Sequence, residues 1–162
     1  GVTPDVVTLA KPLAGGLPLG AIVVREELAG VLRPGDHGST FAGGPMALRA
    51  AALFLGMLED EGLMEQVSRL GTRLRLGLEE IAMAHSLVTE VRGRGLMLGI
   101  RLREGAPELQ RRLYEDHHLI TNCTAGDVVR LLPPYVVEEA QIDEALERIR
   151  QATRRLEGEL AA

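Results

Sequence analysis

Aromatic residues are scarce in this 162-residue sequence: they make up 2% of it, and tryptophan is absent. So few rings cannot form a base-stacking platform, and no basic stripe accompanies the net charge of -5, so we expect no nucleic-acid partner. Cys123 is the only cysteine, which excludes a disulfide framework and a cysteine-based zinc cluster. We therefore expect Cys123 to lie in the core, and we expect no metal site.

Long apolar runs are also missing. No run reaches the ~18–20 residues of a membrane span, and the longest candidate, residues 42–58, contains Pro45 and Arg49. The first residues, GVTPDVVTLA, lack the basic start and cleavage site of a signal peptide. We expect a cytoplasmic protein without a membrane partner. Because the first residue is Gly1 and not Met, we also expect this sequence to be part of a longer chain.

Hydrophobic residues are plentiful, at 46%, and their spacing predicts strands and helices in the first half of the chain. Residues 5–10 and 20–24 are short β-branched runs, typical of buried strands. A helix from Pro45 to Leu58 is apolar nearly all round, which predicts burial. Residues 63–85 repeat apolar side chains at helical spacing, with charges between them, which predicts an amphipathic helix.

The second half of the chain predicts an α+β unit. It should begin with a hairpin of two strands, at residues 88–92 and 96–102, followed by a helix from Pro107. Two further strands, at residues 119–123 and 128–132, and a last helix from about Glu138 should complete it. The glycines of GRGLMLG predict a hairpin turn and close packing, since they do not have the spacing of a dinucleotide fingerprint.

Lys11 is the only lysine of the sequence. Apart from the histidines, every other basic residue is an arginine. Lys11 follows an apolar strand and precedes Pro12 and the pair Gly15 and Gly16, which allow another group to approach the backbone closely. An ordinary surface lysine at a strand end would have the same neighbours. Alternatively, a partly desolvated amine at this place can lose its proton and act as a nucleophile.

Two further features have both a structural and a functional interpretation. The loop DHGSTFAGGP contains Ser39 and Thr40, whose hydroxyls, with the glycine amides, could bind a phosphate or another anion. The alternative is a loop in which one of these residues caps the following helix. Arg130 interrupts the apolar strand VVRLLPP, where it either faces solvent or binds a carboxylate with its planar fork.

Four segments, in the same order, resemble the class III pyridoxal-phosphate-dependent aminotransferases. PDVVTLAKPLAGGLPLGA resembles the lysine motif of that family, and HGSTFAGGPMA resembles its HG-[ST]-T-[FY]-G-G-N-P-x-A segment, at the spacing the family uses. VRGRGLMLGI resembles its glycine block, and LITNCTAGDVVRLLPPYVV is similar to the carboxyl-terminal part of acetylornithine aminotransferases. Gly44 replaces the usual asparagine of the second segment, and Pro12 is unusual after the lysine.

The resemblance implies an α/β fold: the carboxyl-terminal part of a fold type I transferase. Residues 1–60 would be the end of the large domain, including the Schiff-base lysine and the phosphate loop. Residues 61–162 would be a connecting helix and a small α+β domain. The residues that contact the pyridine nitrogen and stack on the ring would lie outside this sequence.

The resemblance also assigns roles to residues. Lys11 would be the catalytic lysine that binds pyridoxal 5'-phosphate, Thr40 would bind its phosphate, and Ser39 and Arg130 would contact the substrate. The family implies a homodimer with the active site at the interface.

The expected reaction transfers an amino group from N-acetylornithine to 2-oxoglutarate, giving glutamate, in arginine biosynthesis. Alternative amino donors within the family are ornithine, succinylornithine, carrier-linked lysine and 4-aminobutyrate. The isolated chain could instead be an inactive fragment or an interaction module.

Overall fold

The computed structural model of the protein describes residues 1–60 and 62–162. They form two compact units, Gly1–Gly62 and Leu63–Ala162, here called unit 1 and unit 2. The predicted domain boundary between residues 60 and 61 involves Glu61, which lies outside the described residues. The assignment of the two parts to the domains of a larger enzyme therefore stays a prediction.

Unit 1 contains a two-stranded antiparallel sheet and one long helix. Strands β1 (Val6–Leu9) and β2 (Ala21–Val24) pair along their whole length. A 3-10 helix, Lys11–Ala14, follows β1 and packs on α1 (Pro45–Asp60). The 3-10 helix ends at Gly15, whose φ of 60° is a left-handed value that glycine adopts without strain.

The predicted burial of β1, β2 and α1 is wrong for this chain. All four residues of β1 are exposed, Ile22 of β2 is 66% exposed, and Leu53 of α1 is 54% exposed. Among the described residues of unit 1, the buried apolar side chains are Leu13, Ala14 and Ala51. The physical reason is that a two-stranded sheet and one helix provide too few layers to cover all of these apolar faces.

Unit 2 is built on a four-stranded antiparallel sheet in the order β3-β4-β6-β5. The strands are β3 (Val88–Arg94), β4 (Met97–Leu102), β5 (Asn122–Thr124) and β6 (Val128–Leu131). The hairpin of β3 and β4 confirms the predicted turn, in which Gly93 and Gly95 have positive φ.

Strand β5 begins three residues later than the predicted start at 119. The turn between β5 and β6 sets this register, because Ala125 and Gly126 both have positive φ and place Thr124 opposite Val128. His118 also has a positive φ, of 50°, and residues 118–121 are not part of the sheet. An interruption of this kind is invisible in the hydrophobic pattern alone.

Three helices cover one face of this sheet: α2 (Leu63–Ala84), α3 (Ala106–Glu115) and α4 (Glu139–Leu160). Helices α2 and α3 pack on the strands, and α4 packs on both helices. The last helix starts where the sequence predicts, because Glu138 forms a capping box with Gln141.

The core of unit 2 lies between the helices and the covered face of the sheet. The predicted alternation is confirmed, since Leu98, Ile100 and Leu102 are buried while Met97 and Arg101 are exposed. The apolar stripes of the three helices supply the rest of this core, chiefly Leu70, Leu74, Leu78, Ile81, Leu109, Leu113, Ile142 and Ile149. Cys123 is partly buried against the core, as predicted.

One helix of unit 2 comes unusually close to the β3–β4 hairpin. A Cβ atom added at Gly71 of α2 would lie 2.5 Å from the carbonyl carbon and oxygen of Gly95. No side chain larger than hydrogen fits between these two backbones, which confirms the predicted close packing of the glycine motif. Within the described residues, no helix has the length and apolar character needed to cross a membrane.

Candidate active site

Lys11 occupies a strained position at the end of a strand. Only Ala10 separates it from β1, and its φ is 53°, a left-handed value that non-glycine residues rarely adopt. Strain of this kind costs on the order of 1–3 kcal/mol and is concentrated at functional sites. The side chain is exposed. Among the described residues, it forms no hydrogen bond or ion pair.

The backbone after Lys11 is held firmly and yet leaves open space. The next side chains, Leu13 and Ala14, are buried against α1 and fix the 3-10 helix in place. Gly15 and Gly16 follow with φ values of 60° and 107°, and no atom lies within 4 Å of a Cβ added at either position. This combination gives a lysine with a fixed backbone beside an accessible stretch of chain.

The loop before α1 presents two free hydroxyl groups. Ser39 and Thr40 are exposed, and within the described part of the chain neither hydroxyl makes a hydrogen bond. Gly44 is the residue before the first helical residue, Pro45, and its carbonyl accepts the helical hydrogen bond from Leu48 N at 3.0 Å. Neither hydroxyl residue therefore occupies the capping position, and the alternative interpretation of this loop is not supported.

Arg130 lies on the face of the unit 2 sheet that the helices do not cover. Four residues form one row across the sheet here. Arg92 of β3 pairs with Gly99 of β4, Gly99 pairs with Arg130 of β6, and Arg130 pairs with Asn122 of β5. The Nη2 atom of Arg130 donates a hydrogen bond to Asn122 Oδ1 at 3.0 Å. A cavity of about 290 Å³ lies over this part of the sheet, lined by both arginines and by Gly99.

The charge of Arg130 is not compensated by a carboxylate among the described residues. Arg101 on the adjacent strand β4 is different, because it donates to Asp127 at 2.8 Å and lies 3.7 Å from Glu90. The hydrogen bond and the charge of Asp127 raise the pKa of Arg101. An arginine that is fixed by a neutral amide, as Arg130 is, keeps its full attraction for an external anion.

Another cavity lies among the described residues of unit 2, away from Arg130. It has a volume of about 400 Å³, and apolar side chains such as Leu119, Leu131 and Ile142 line most of it. It contains no charged group and none of the residues singled out from the sequence. Within the same residues, no cluster of three acidic, histidine or cysteine side chains could hold a metal ion.

The four predicted site residues fall in different units. Lys11, Ser39 and Thr40 belong to unit 1, and Arg130 belongs to unit 2. The roles assigned to them stay predictions.

Sequence reasoning missed Asn122 as the partner of Arg130. The signal was present, because a three-residue turn at residues 125–127 places residue 122 opposite residue 130. It also missed the contact of His85 with Glu157, 72 residues away, for which no local signal exists.

Comparison with known proteins identifies the family. The family described as "Aminotransferase class-III" matches residues 1–153. An acetylornithine aminotransferase of Mycobacterium tuberculosis (strain ATCC 25618 / H37Rv) is 46% identical over 143 residues, which are 88% of this chain and 35% of that protein. The chain thus spans about a third of the length of such curated relatives.

Solved structures show the same fold. An acetylornithine aminotransferase from Elizabethkingia anophelis matches 95% of this chain and 40% of that one, with a TM-score of 0.88 and 33% identity. An ornithine aminotransferase from Toxoplasma gondii matches 99% of this chain and 39% of that one, with a TM-score of 0.92 and 31% identity. Its active site is described as partially occupied by PLP.

The chain belongs to the class III aminotransferase family. Its fold is α/β and corresponds to a carboxyl-terminal part of a fold type I pyridoxal-phosphate-dependent transferase, as the sequence motifs predict.

Proposed function

We propose that the complete protein containing this chain is a pyridoxal-phosphate-dependent transaminase in which Lys11 is the catalytic lysine. The observation that carries the proposal is the position of Lys11. It is the only lysine of the chain, it has a φ of 53° with only Ala10 between it and β1, and its amine has no partner among the described residues. Backbone strain of this kind is concentrated at functional sites, which favours a functional role for Lys11.

The residues of this chain fit the cofactor. The Lys11 amine is free to bind the cofactor's aldehyde carbon, and the open backbone at Gly15 and Gly16 leaves room for a planar group nearby. Thr40 offers a hydroxyl to the cofactor phosphate. In the arrangement that the family implies, this phosphate belongs to the active site of the partner subunit in a homodimer. Bound pyridoxal phosphate supplies an electron sink that acidifies the C–H bond of the substrate carbon carrying the nitrogen.

The Lys11 amine also moves a proton. With the substrate bound, Lys11 Nζ would remove the proton from the substrate carbon that carries the amino group and later deliver a proton to complete the transfer. This step requires an amine that can lose its proton near neutral pH. Arginine cannot replace it, because the guanidinium group stays protonated in proteins.

Arg130 binds the substrate carboxylate in this proposal. Its guanidinium is half-buried, held on one side by Asn122, and free of acidic partners among the described residues. N-acetylornithine and 2-oxoglutarate each carry a carboxylate. The same fork therefore serves both halves of the reaction, while Ser39 contacts the side chain of the donor.

The proposed donor is N-acetylornithine, and the proposed acceptor is 2-oxoglutarate, which becomes glutamate in a step of arginine biosynthesis. The support is the name shared by curated relatives that are 41–49% identical to this chain. Ornithine is the second candidate, since ornithine aminotransferases are among the solved structures with high TM-scores. We place the enzyme in the cytoplasm.

The test is a steady-state assay of the complete protein with 2-oxoglutarate and each of N-acetylornithine, ornithine, succinylornithine and 4-aminobutyrate. We expect the highest kcat/KM with N-acetylornithine, and no amino transfer after Lys11→Ala. A higher kcat/KM with another donor would replace the proposed substrate. Full transfer activity in Lys11→Ala would contradict the proposal as a whole.

A further inference from the structure

Asn122 differs from the partners of most arginines in unit 2. Arg69, Arg73 and Arg112 are each paired with carboxylates, at 2.6–3.1 Å. Arg130 instead donates to the neutral amide oxygen of Asn122, which lies directly opposite on the edge strand β5. The partner of Arg130 thus orients the guanidinium group without neutralising it.

The geometry leaves the carboxylate-binding edge of Arg130 available. Nη2 carries two hydrogens, and the bond to Oδ1 uses one of them, so the second and those of Nη1 remain for a bidentate pair. Gly99, the residue opposite Arg130 on β4, has no side chain to fill the space beside the fork. A Cβ at Gly99 would lie 2.8 Å from Val128 Cγ1, so the Val128 side chain packs over Gly99 and leaves no room for a larger residue there.

We propose that Asn122 is a positioning residue for substrate binding, which holds the Arg130 fork in place while keeping its charge available to the substrate carboxylate. This inference rests on the proposed function, in which Arg130 binds that carboxylate. It adds that the residue at position 122 must be a neutral acceptor. An aspartate there would form an ion pair with Arg130 and compete with the substrate for the same donors.

The experiment compares Asn122→Ala and Asn122→Asp in the complete enzyme. For each variant, calorimetry measures the Kd of 2-oxoglutarate, and steady-state assays measure KM and kcat. A lost hydrogen bond to a charged group predicts a Kd weaker by roughly three- to tenfold for Asn122→Ala. Asn122→Asp should bind roughly tenfold more weakly again, because the new carboxylate occupies the fork. In both, KM should rise more than kcat falls.

Two controls separate positioning from a structural role of β5. Gln151→Glu adds the same charge on α4, where Gln151 contacts Glu147 and not Arg130, and should leave the Kd unchanged. In an Arg130→Ala background, Asn122→Ala should have no further effect on the Kd, since Asn122 acts only through Arg130. Position 122 is exposed on an edge strand, so we expect all variants to fold, which thermal unfolding checks.

The outcomes distinguish the inference from the proposed function. If Asn122→Asp binds 2-oxoglutarate as well as or better than Asn122→Ala, the need for a neutral partner is wrong, while the role of Arg130 stands. If the Arg130→Ala variant binds 2-oxoglutarate with the same Kd as the wild-type enzyme, the proposed carboxylate site is wrong and this inference fails with it.

Discussion

Lys11 shows how far a single residue can be interpreted before a structure is known. Its rarity and its position after a strand are visible in the sequence, and both directed attention to it. Its φ of 53° is not visible, because the flanking Ala10 and Pro12 do not force a left-handed conformation on the residue between them. The structure therefore adds an independent reason to regard Lys11 as functional.

The Thr40 hydroxyl gives a prediction at the same scale. We expect Thr40→Ala to weaken the binding of pyridoxal phosphate to the complete enzyme by roughly tenfold, because one hydrogen bond to a charged phosphate is lost. Equilibrium titration of the cofactor, followed by absorbance, measures this. Ser39→Ala is the matched control, since it removes the neighbouring hydroxyl and should raise the KM of the donor instead. Equal cofactor affinity in wild type and Thr40→Ala would remove Thr40 from the phosphate site.

Gly71 gives a second prediction at the residue scale, which concerns the free energy of unfolding. Gly71→Ala should reduce the free energy of unfolding by about 1–3 kcal/mol, because the new Cβ would collide with the backbone of Gly95. Gly158→Ala on α4 is the control, since no atom lies within 4 Å of its added Cβ. Helix propensity predicts that this control is stabilising by up to about 1 kcal/mol. Chemical denaturation of the chain measures both, and similar effects of the two would contradict the close approach.

At the scale of elements, the contact of His85 with Glu157 connects the end of α2 to α4. Glu157 Oε2 lies 2.7 Å from His85 Nδ1, and Oε1 accepts hydrogen bonds from Ser86 Oγ and Leu87 N, both at 3.0 Å. The bond to His85 is the main cause that lowers the pKa of Glu157 below its ordinary value of 4.5. The ionised carboxylate is therefore the form that the folded state prefers.

The sign of the pH dependence follows from this shift. A carboxyl group whose pKa is lower in the folded state stabilises it above the ordinary value of 4.5, and that contribution is lost as the pH falls through the lowered pKa. Glu157→Gln should thus cost about 1–2 kcal/mol at pH 7 and little once the pH is below the lowered pKa. The free energy of unfolding at several pH values measures this, with the exposed Glu104→Gln as control. A cost for Glu157→Gln that does not change with pH would contradict the account.

The elements also show which parts of the fold were predictable. The helices of unit 2 and the β3–β4 hairpin were predicted within a few residues, because their apolar stripes pack inside the same unit. Strand β5 was misplaced because backbone conformations at His118 and Ala125, not hydrophobicity, determine its ends. In unit 1 the two strands and the long helix were predicted with the right type, but the 3-10 helix Lys11–Ala14 was missed. The predicted burial of the strands and the long helix was wrong, since a pattern cannot tell which partner covers an apolar face.

At the scale of the whole molecule, the exposed apolar faces of unit 1 agree with the finding that the chain spans only part of its relatives' length. Exposed apolar side chains such as Val23 and Leu53 belong to β2 and α1, and the chain spans 35% of a curated relative. We infer that these faces are covered in the complete protein by further chain or by a second subunit. The candidate site residues could be predicted from the sequence one by one, whereas the pairing of Arg130 with Asn122 could not be predicted from the hydrophobic pattern alone.

The central claim is that Lys11 holds pyridoxal phosphate, and borohydride reduction tests it most directly. The complete protein is incubated with the cofactor, reduced and digested, and the modified peptide is identified by mass spectrometry. We expect the cofactor on the peptide containing Lys11, and no trapped cofactor on this chain in a Lys11→Ala variant. Cofactor fixed to another lysine of the complete protein, with Lys11 unmodified, would contradict the account.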